Sequence, residues 1–260
     1  MSIIISICSE KGGVGKTTAA VNISGGLAKL GKKVLVVDLD QQGNASQALG
    51  YIKDGKPTVS ELIYNTIAGI KTDYTDSVRH ASYNIDYIPA SAMLTNITTF
   101  MASDSDSNYV LKRVLENEVY SQYDYIILDC RTLLDLLASN AMNTSDYIII
   151  PVESGVYSFD GLSKMLDKVS SVNNSTNHRL RVLGILLNKQ QRTVVSTSIA
   201  DSIREGYADI TFNTVIPFCP AQTENAVLNQ TSCVNDEKST LGAAFLKIAE
   251  EIINRTQSVS

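Results

Sequence analysis

Short, uninterrupted apolar runs alternate along this chain with longer stretches in which apolar positions recur every three to four residues. The runs are Ile3 to Cys8, Lys33 to Asp38, Ile85 to Ile88, Tyr125 to Leu128, Tyr147 to Pro151, Leu180 to Leu187 and Thr211 to Ile216. Rich in Ile, Val and Leu and apolar on both sides of the pleat, they predict strands covered on both faces. Helical spacing marks Thr17 to Leu30, which Gly31 stops, then Asn108 to Tyr120, Leu133 to Met142, Phe159 to Val172, Val194 to Tyr207 and Leu241 to Asn254. Strands alternating with helices predict an α/β fold: a mostly parallel, twisted sheet of about seven to eight strands with helices on both faces. Gly50 to Ala81 is the least regular part and predicts an insertion of short helices. No repeat, low-complexity tract or Pro/Gly/Ser-rich linker divides the chain, so residues 1–260 are expected to form one domain.

Composition narrows the class. Hydrophobic residues make up 44% of the 260, ample for one core. Cys8, Cys130, Cys219 and Cys233 form no C-x-x-C pair, which argues against zinc, an iron–sulfur cluster or a disulfide framework and suits a reducing cytosol. No apolar stretch reaches the roughly eighteen residues of a membrane span. The apolar start, Ile3 to Ile7, meets Glu10 and Lys11 too early for a signal peptide, so a cytoplasmic protein is expected. Net charge is -5, unevenly spread. The window Gly161 to Arg204 holds seven basic residues (Lys164, Lys168, Arg179, Arg181, Lys189, Arg192, Arg204) against Asp167 and Asp201, the composition of either a solvated helix pair or an anion-binding face.

In an open parallel sheet, ligands bind beyond the carboxyl ends of the strands. Three of those ends carry polar chemistry here. The first strand runs into SEKGGVGKTT, Ser9 to Thr18. Gly12, Gly13 and Gly15 let backbone N–H groups converge on phosphate oxygens, and the following helix offers its positive end to the same anion. Lys16 can neutralise terminal phosphate charge, and the Thr17 hydroxyl is spaced to ligate Mg²⁺. Asp38 and Asp40 follow the second strand, and Asp129 ends the run Tyr125 to Leu128, where a carboxylate would orient a magnesium-bound water. The loop departs from the usual Gly-x-x-x-x-Gly-Lys-Thr pattern, because Glu10 stands where the first glycine belongs and a second lysine, Lys11, follows it.

Lys11 to Thr18 resembles the deviant Walker A box of the ParA/MinD family of dimerising ATPases, in which the extra lysine is the signature. The resemblance continues through Val37 to Ser46, Tyr123 to Cys130, Asn140 to Met142, Pro151 to Glu153, Gly161-Leu162, Val215 to Pro217 and Glu224 to Ala226. The ParA branch fits better than the MinD branch. The resemblance implies a P-loop NTPase fold and an ATPase that uses ATP and Mg²⁺, with a weak, partner-stimulated turnover. Lys11 would reach the nucleotide of a second copy, so that ATP closes a homodimer, and Glu10 would shift the loop entry to give Lys11 its exit direction. Lys11, Lys16 and Asp40 would be catalytic, with Asp40 positioning the attacking water. Gly12, Gly13, Val14, Gly15, Lys16, Thr17 and Thr18 would cradle phosphate, while Thr17, Asp38 and Asp129 would serve the metal. Asn188 and Pro217 would lie against adenine. The ATP dimer would bind DNA nonspecifically, with Lys164, Lys168, Arg192 and Arg204 as candidates, and a ParB-like adaptor would trigger release from the nucleoid.

The chain also departs from the pattern. After Asp129 the family usually carries two prolines and then a glycine, whereas this chain has Arg131, Thr132 and Asp135. Losing rigid residues is expected to free the backbone there and to alter how ATP, dimer and partner are coupled. Phe218-Cys219 stands near a position where DNA-binding relatives tend to carry arginine. Other readings are a nucleotide-dependent dimer with impaired hydrolysis, a MinD-like membrane-cycling regulator, or a metabolic ligase or reductase. The membrane reading needs a basic, amphipathic C-terminal helix, and Phe245 to Ser260, with its adjacent glutamates, looks instead like a core-packing helix. The missing cysteine pair argues against a reductase.

Overall fold

The computed structural model describes residues 2–132, 135–155 and 158–257. Among the described residues seven strands form one sheet: β1 (Ile3–Ile7), β2 (Val34–Asp38), β3 (Arg79–His80), β4 (Ile85–Ile88), β5 (Tyr125–Asp129), β6 (Tyr147–Glu153) and β7 (Arg181–Asn188). Their order is β3-β4-β2-β5-β1-β6-β7, and every pair is parallel except β3 with β4. Six of the strands are the apolar runs of the sequence, with ends shifted by one or two residues.

The seventh expected strand, Thr211 to Ile216, is not one. Only two isolated parallel bridges remain there, Ile185 with Thr211 and Gln190 with Pro217. The reason is competition for donors: Glu251 accepts the N–H groups of Asn213 and Thr214, both at 2.9 Å, so this stretch bows away from β7. In its place the sheet gains β3, a two-residue edge strand with no apolar signature. It is anchored by the buried Arg79 guanidinium, which holds Asp54 at 2.7 Å and the Pro57 carbonyl at 2.6 Å.

Among the described residues ten α-helices flank the sheet: α1 (Lys16–Lys29), α2 (Asn44–Ala48), α3 (Val59–Ala68), α4 (Leu94–Ala102), α5 (Val110–Leu115), α6 (Leu136–Thr144), α7 (Ser158–Ser175), α8 (Val194–Gly206), α9 (Pro220–Leu228) and α10 (Thr240–Gln257). The expected helix Asn108 to Tyr120 is divided, because Asn117 caps a separate 3₁₀ turn at Glu118–Tyr120. Of the expected helix Leu133 to Met142, Leu133 and Leu134 lie outside the described residues, and α6 begins behind an Asp135 cap. Successive strand residues face opposite sides: Ile126 and Leu128 join the core under α3 to α8, while Tyr125 and Ile127 join the core under α1, α2, α9 and α10.

The apolar face of α10 is consumed by this packing. Phe245, Ile248, Ala249 and Ile252 are fully buried, and α1 approaches so closely that a Cβ on Gly26 would lie 2.8 Å from the Ala249 methyl. Residues 258–260 of the expected tail helix lie outside the described residues. Among the described residues no helix is long and apolar enough to cross a membrane.

Candidate functional site

The carboxyl ends of β1, β2, β5 and β7 meet at one end of the sheet. Between β1 and α1 the chain makes the glycine loop, in which Gly13 (φ 76°) and Gly15 (φ 86°) are left-handed. Glycine at position 15 answers two demands at once. Its conformation disfavours any side chain, and a Cβ would sit 2.5 Å from the Asn188 side-chain nitrogen. Gly15 is also the residue before α1, so the helix presents its N-terminal dipole directly behind the loop.

The two lysines of the loop are placed differently. Lys16 is buried and donates from Nζ to the Thr132 hydroxyl at 3.1 Å. Lys11 is exposed, and its backbone N–H reaches only the Ser9 hydroxyl at 3.4 Å. Val14 is buried, whereas Thr17 and Thr18 are partly exposed on the first turn of α1.

Asp38 and Asp129 are register partners on neighbouring parallel strands, both about 1% exposed. One oxygen of Asp38 accepts from the Ser46 N–H (2.8 Å) and the Ser46 hydroxyl (2.6 Å), and the other from the Asp40 N–H (3.1 Å). Asp129 has no hydrogen-bond partner on either oxygen among the described residues. Burial pushes the Asp38 carboxyl up to about 6 even though those donors pull it down. Burial, followed by the adjacent Asp38 charge, pushes Asp129 well above the usual carboxylate range. A buried, unpartnered carboxylate beside a second one calls for a cation. Among the described residues no group of three His, Cys, Asp or Glu could hold a metal alone. The donor set therefore fits a hard cation that brings oxygen ligands with it, as Mg²⁺ bound to phosphate does.

β2 ends at Asp38, so Asp40 lies in the following turn rather than on the strand. It is partly exposed, and its carboxylate accepts the Gln42 N–H at 3.0 Å. Asn188 donates to the Val14 carbonyl at 2.7 Å. With Pro217, Thr18, Phe218 and Thr223 it lines a cavity of about 170 Å³ beside the loop. The structure thus gathers the loop, Asp38, Asp40, Asp129, Asn188 and Pro217 at one end of the sheet. The basic candidates lie on α7 and on or before α8. Lys164 and Lys168 are one turn apart on α7, Arg192 is exposed in the turn before α8, and Arg204 on α8 donates to the Asn213 carbonyl at 3.1 Å.

This architecture has close counterparts. The AAA domain family model matches residues 2–182. The sporulation initiation inhibitor protein Soj of Bacillus subtilis is 35% identical over 254 residues, 97% of this chain and 98% of Soj. The chain is a member of the ParA/MinD family of ATPases. The chromosome partitioning protein ParA of Caulobacter vibrioides is 30% identical, over 97% of this chain and 94% of that one. Among solved structures, the septum site-determining protein MinD of Pyrococcus horikoshii, complexed with Mg-ADP, superposes with a TM-score of 0.74 at 26% identity, over 100% of this chain and 98% of that one.

Within this ParA/MinD fold, the described residues of the segment that departs from the family pattern are held by side-chain bonds. Arg131 pairs with Asp135 at 2.5 Å and donates to the Leu94 carbonyl at 3.4 Å, Thr132 accepts from Lys16, and Asp135 caps α6 through the Ala138 N–H at 3.1 Å. Three contributors escaped the sequence reading. Ser46 organises Asp38, Thr132 engages Lys16, and Lys189 donates to the Gly13 carbonyl at 2.5 Å. Of these, Ser46 carries a sequence signal, since it closes the motif Val37 to Ser46; contacts over more than a hundred residues leave none.

Proposed function

We propose that this protein is a ParA-like partition ATPase whose ATP-bound form is a homodimer. The observation that carries the reading is the division of labour between the two loop lysines, Lys16 buried over the site and Lys11 exposed to solvent. A cation held outside its own site is available to the triphosphate of a second copy. In a desolvated interface that contact is worth far more than in water. Lys16 leaves Thr132 for the terminal phosphates, Thr17 and Asp129 hold Mg²⁺ or its water shell, and Asp38 shapes the turn that presents Asp40 to the attacking water. When bound, Mg²⁺ spreads the charge that develops on the transferred phosphoryl group. Asn188 and Pro217 border the base, as the cavity they share with Thr18 suggests. The MinD relative that was solved with Mg-ADP supports ATP and Mg²⁺ as ligands.

The dimer binds DNA nonspecifically through Lys164, Lys168, Arg192 and Arg204, and a ParB-like adaptor stimulates an otherwise weak hydrolysis. The protein then cycles between cytoplasm and nucleoid. All of residues 1–260 act as one domain. Cosedimentation with nonspecific DNA tests the reading. DNA is bound with a slowly hydrolysed ATP analogue and not with ADP, and binding falls steeply as salt rises. Equal DNA binding with both nucleotides, or vesicle binding in place of DNA, rejects it.

A further inference from the structure

Two consecutive residues at the end of β7 grip the glycine loop. Asn188 Nδ2 donates to the Val14 carbonyl (2.7 Å), and Lys189 Nζ donates to the Gly13 carbonyl (2.5 Å). Asn188 is itself fixed, since its side-chain oxygen accepts the Lys189 N–H at 3.0 Å. Lys189 is left-handed (φ 53°), one of three such non-glycine residues among those described, a conformation that costs free energy in a residue with a Cβ. Its Cε would lie 3.6 Å from a Cβ on Gly15, so the stem covers the loop while the ammonium reaches past it, and both residues line the cavity assigned to the base.

We infer that Lys189 is a positioning residue for phosphate binding, holding the glycine loop open from behind. A trans peptide is planar, with C=O and N–H on opposite edges. Fixing the Gly13 and Val14 carbonyls therefore fixes the planes that carry the Val14 and Gly15 N–H groups, the donors a phosphate needs. A neutral amide and an ammonium do this together, and the charge-assisted bond is the stronger of the two. The ammonium also places a third lysine beside the loop, after Lys16 and Lys11, so the same side chain raises the local positive potential. In sequence Lys189 belongs to the basic window Gly161 to Arg204; the fold sets it on the loop. This inference rests on the nucleotide-binding reading above, and its test separates the two.

The variants are Lys189→Met, which keeps the stem and loses the charge, Lys189→Arg, and Lys189→Gly, which removes the side chain but relieves the left-handed strain. Amide exchange of residues 12–16 is followed in the nucleotide-free protein, and affinity is measured with fluorescent N-methylanthraniloyl ATP and ADP. Met and Gly accelerate loop exchange and weaken both nucleotides about tenfold, the Gly variant without losing thermal stability, and Arg restores most of each. Wild-type exchange in Lys189→Met, or unchanged affinity in a protein that binds both probes, overturns the inference. Faster exchange in Lys189→Met together with a wild type that binds neither probe upholds the clamp and removes the nucleotide reading instead.

Discussion

The ends of β2 and β5 are one hydrogen-bonded step apart and finish in the same residue, yet the two aspartates live in opposite circumstances. Asp38 takes three protein donors, and the Ser46 hydroxyl that serves it also accepts the Ala90 N–H at 3.0 Å, so this carboxylate fixes a loop. Asp129 takes none. The contrast teaches that a strand-end carboxylate is assigned its work by the donors that the next loop supplies. After β2, the turn into α2 returns Ser46 to the strand. After β5, the chain leads to Thr132, whose hydroxyl goes to Lys16. The Asp129 oxygens, unpartnered among the described residues, fit a bound cation.

The largest expected effect falls on Asp129. Asp129→Asn abolishes the tightening of ATP binding by Mg²⁺, on the order of tenfold to a hundredfold, measured by titration with and without the metal. The same substitution raises the melting temperature of the nucleotide-free protein, since it removes a carboxyl whose ionisation burial and Asp38 oppose; each pKa unit of elevation corresponds to about 1.4 kcal/mol. Asp38→Ala acts with the opposite sign. It strands the Ser46 donors and lowers stability by about 1–3 kcal/mol in denaturant unfolding. A fall in stability for both variants would erase the contrast.

Acidity sharpens it further. The Asp38 carboxyl titrates at about 6 in the fold against 3.8 in the unfolded chain, so protonation favours the fold. Its contribution is complete below about pH 3.8 and is lost as pH rises through about 6. Asp54 and Asp104, held low by hydrogen bonds from Arg79 and Arg113, act the other way, but only as pH falls through their own depressed values. The nucleotide-free protein therefore melts higher at pH 5 than at pH 7, and Asp129→Asn, which removes a second carboxyl that burial holds above its usual range, flattens that slope. The smallest effect is Ser46→Ala, about 1 kcal/mol of stability lost, with Asp38 shifted further upward.

Much of the fold is legible in the sequence. Six strands and the sheet class follow from buried apolar runs, because a strand covered on both faces can only be apolar, and the glycine loop is a local pattern whose chemistry needs no distant residue. The stretch Thr211 to Ile216 misled because its residues suit a strand, while the donors it needed were claimed by Glu251 on α10. β3 was hidden because a buried arginine, rather than apolar spacing, anchors it. The unequal treatment of Asp38 and Asp129 was equally out of reach, since both read as an aspartate after an apolar run. The contacts Lys16 to Thr132 and Lys189 to Gly13 span 116 and 176 residues, and no periodicity encodes them.

Sedimentation velocity of the wild type and Lys11→Ala, each with ADP and with a slowly hydrolysed ATP analogue, reaches the center of this account. The wild type should shift from monomer to dimer with the triphosphate alone, and Lys11→Ala should remain a monomer while still binding the nucleotide. A Lys11→Ala protein that pairs as readily as the wild type would contradict the shared-cation dimer, as would a wild type that stays monomeric when saturated with the triphosphate.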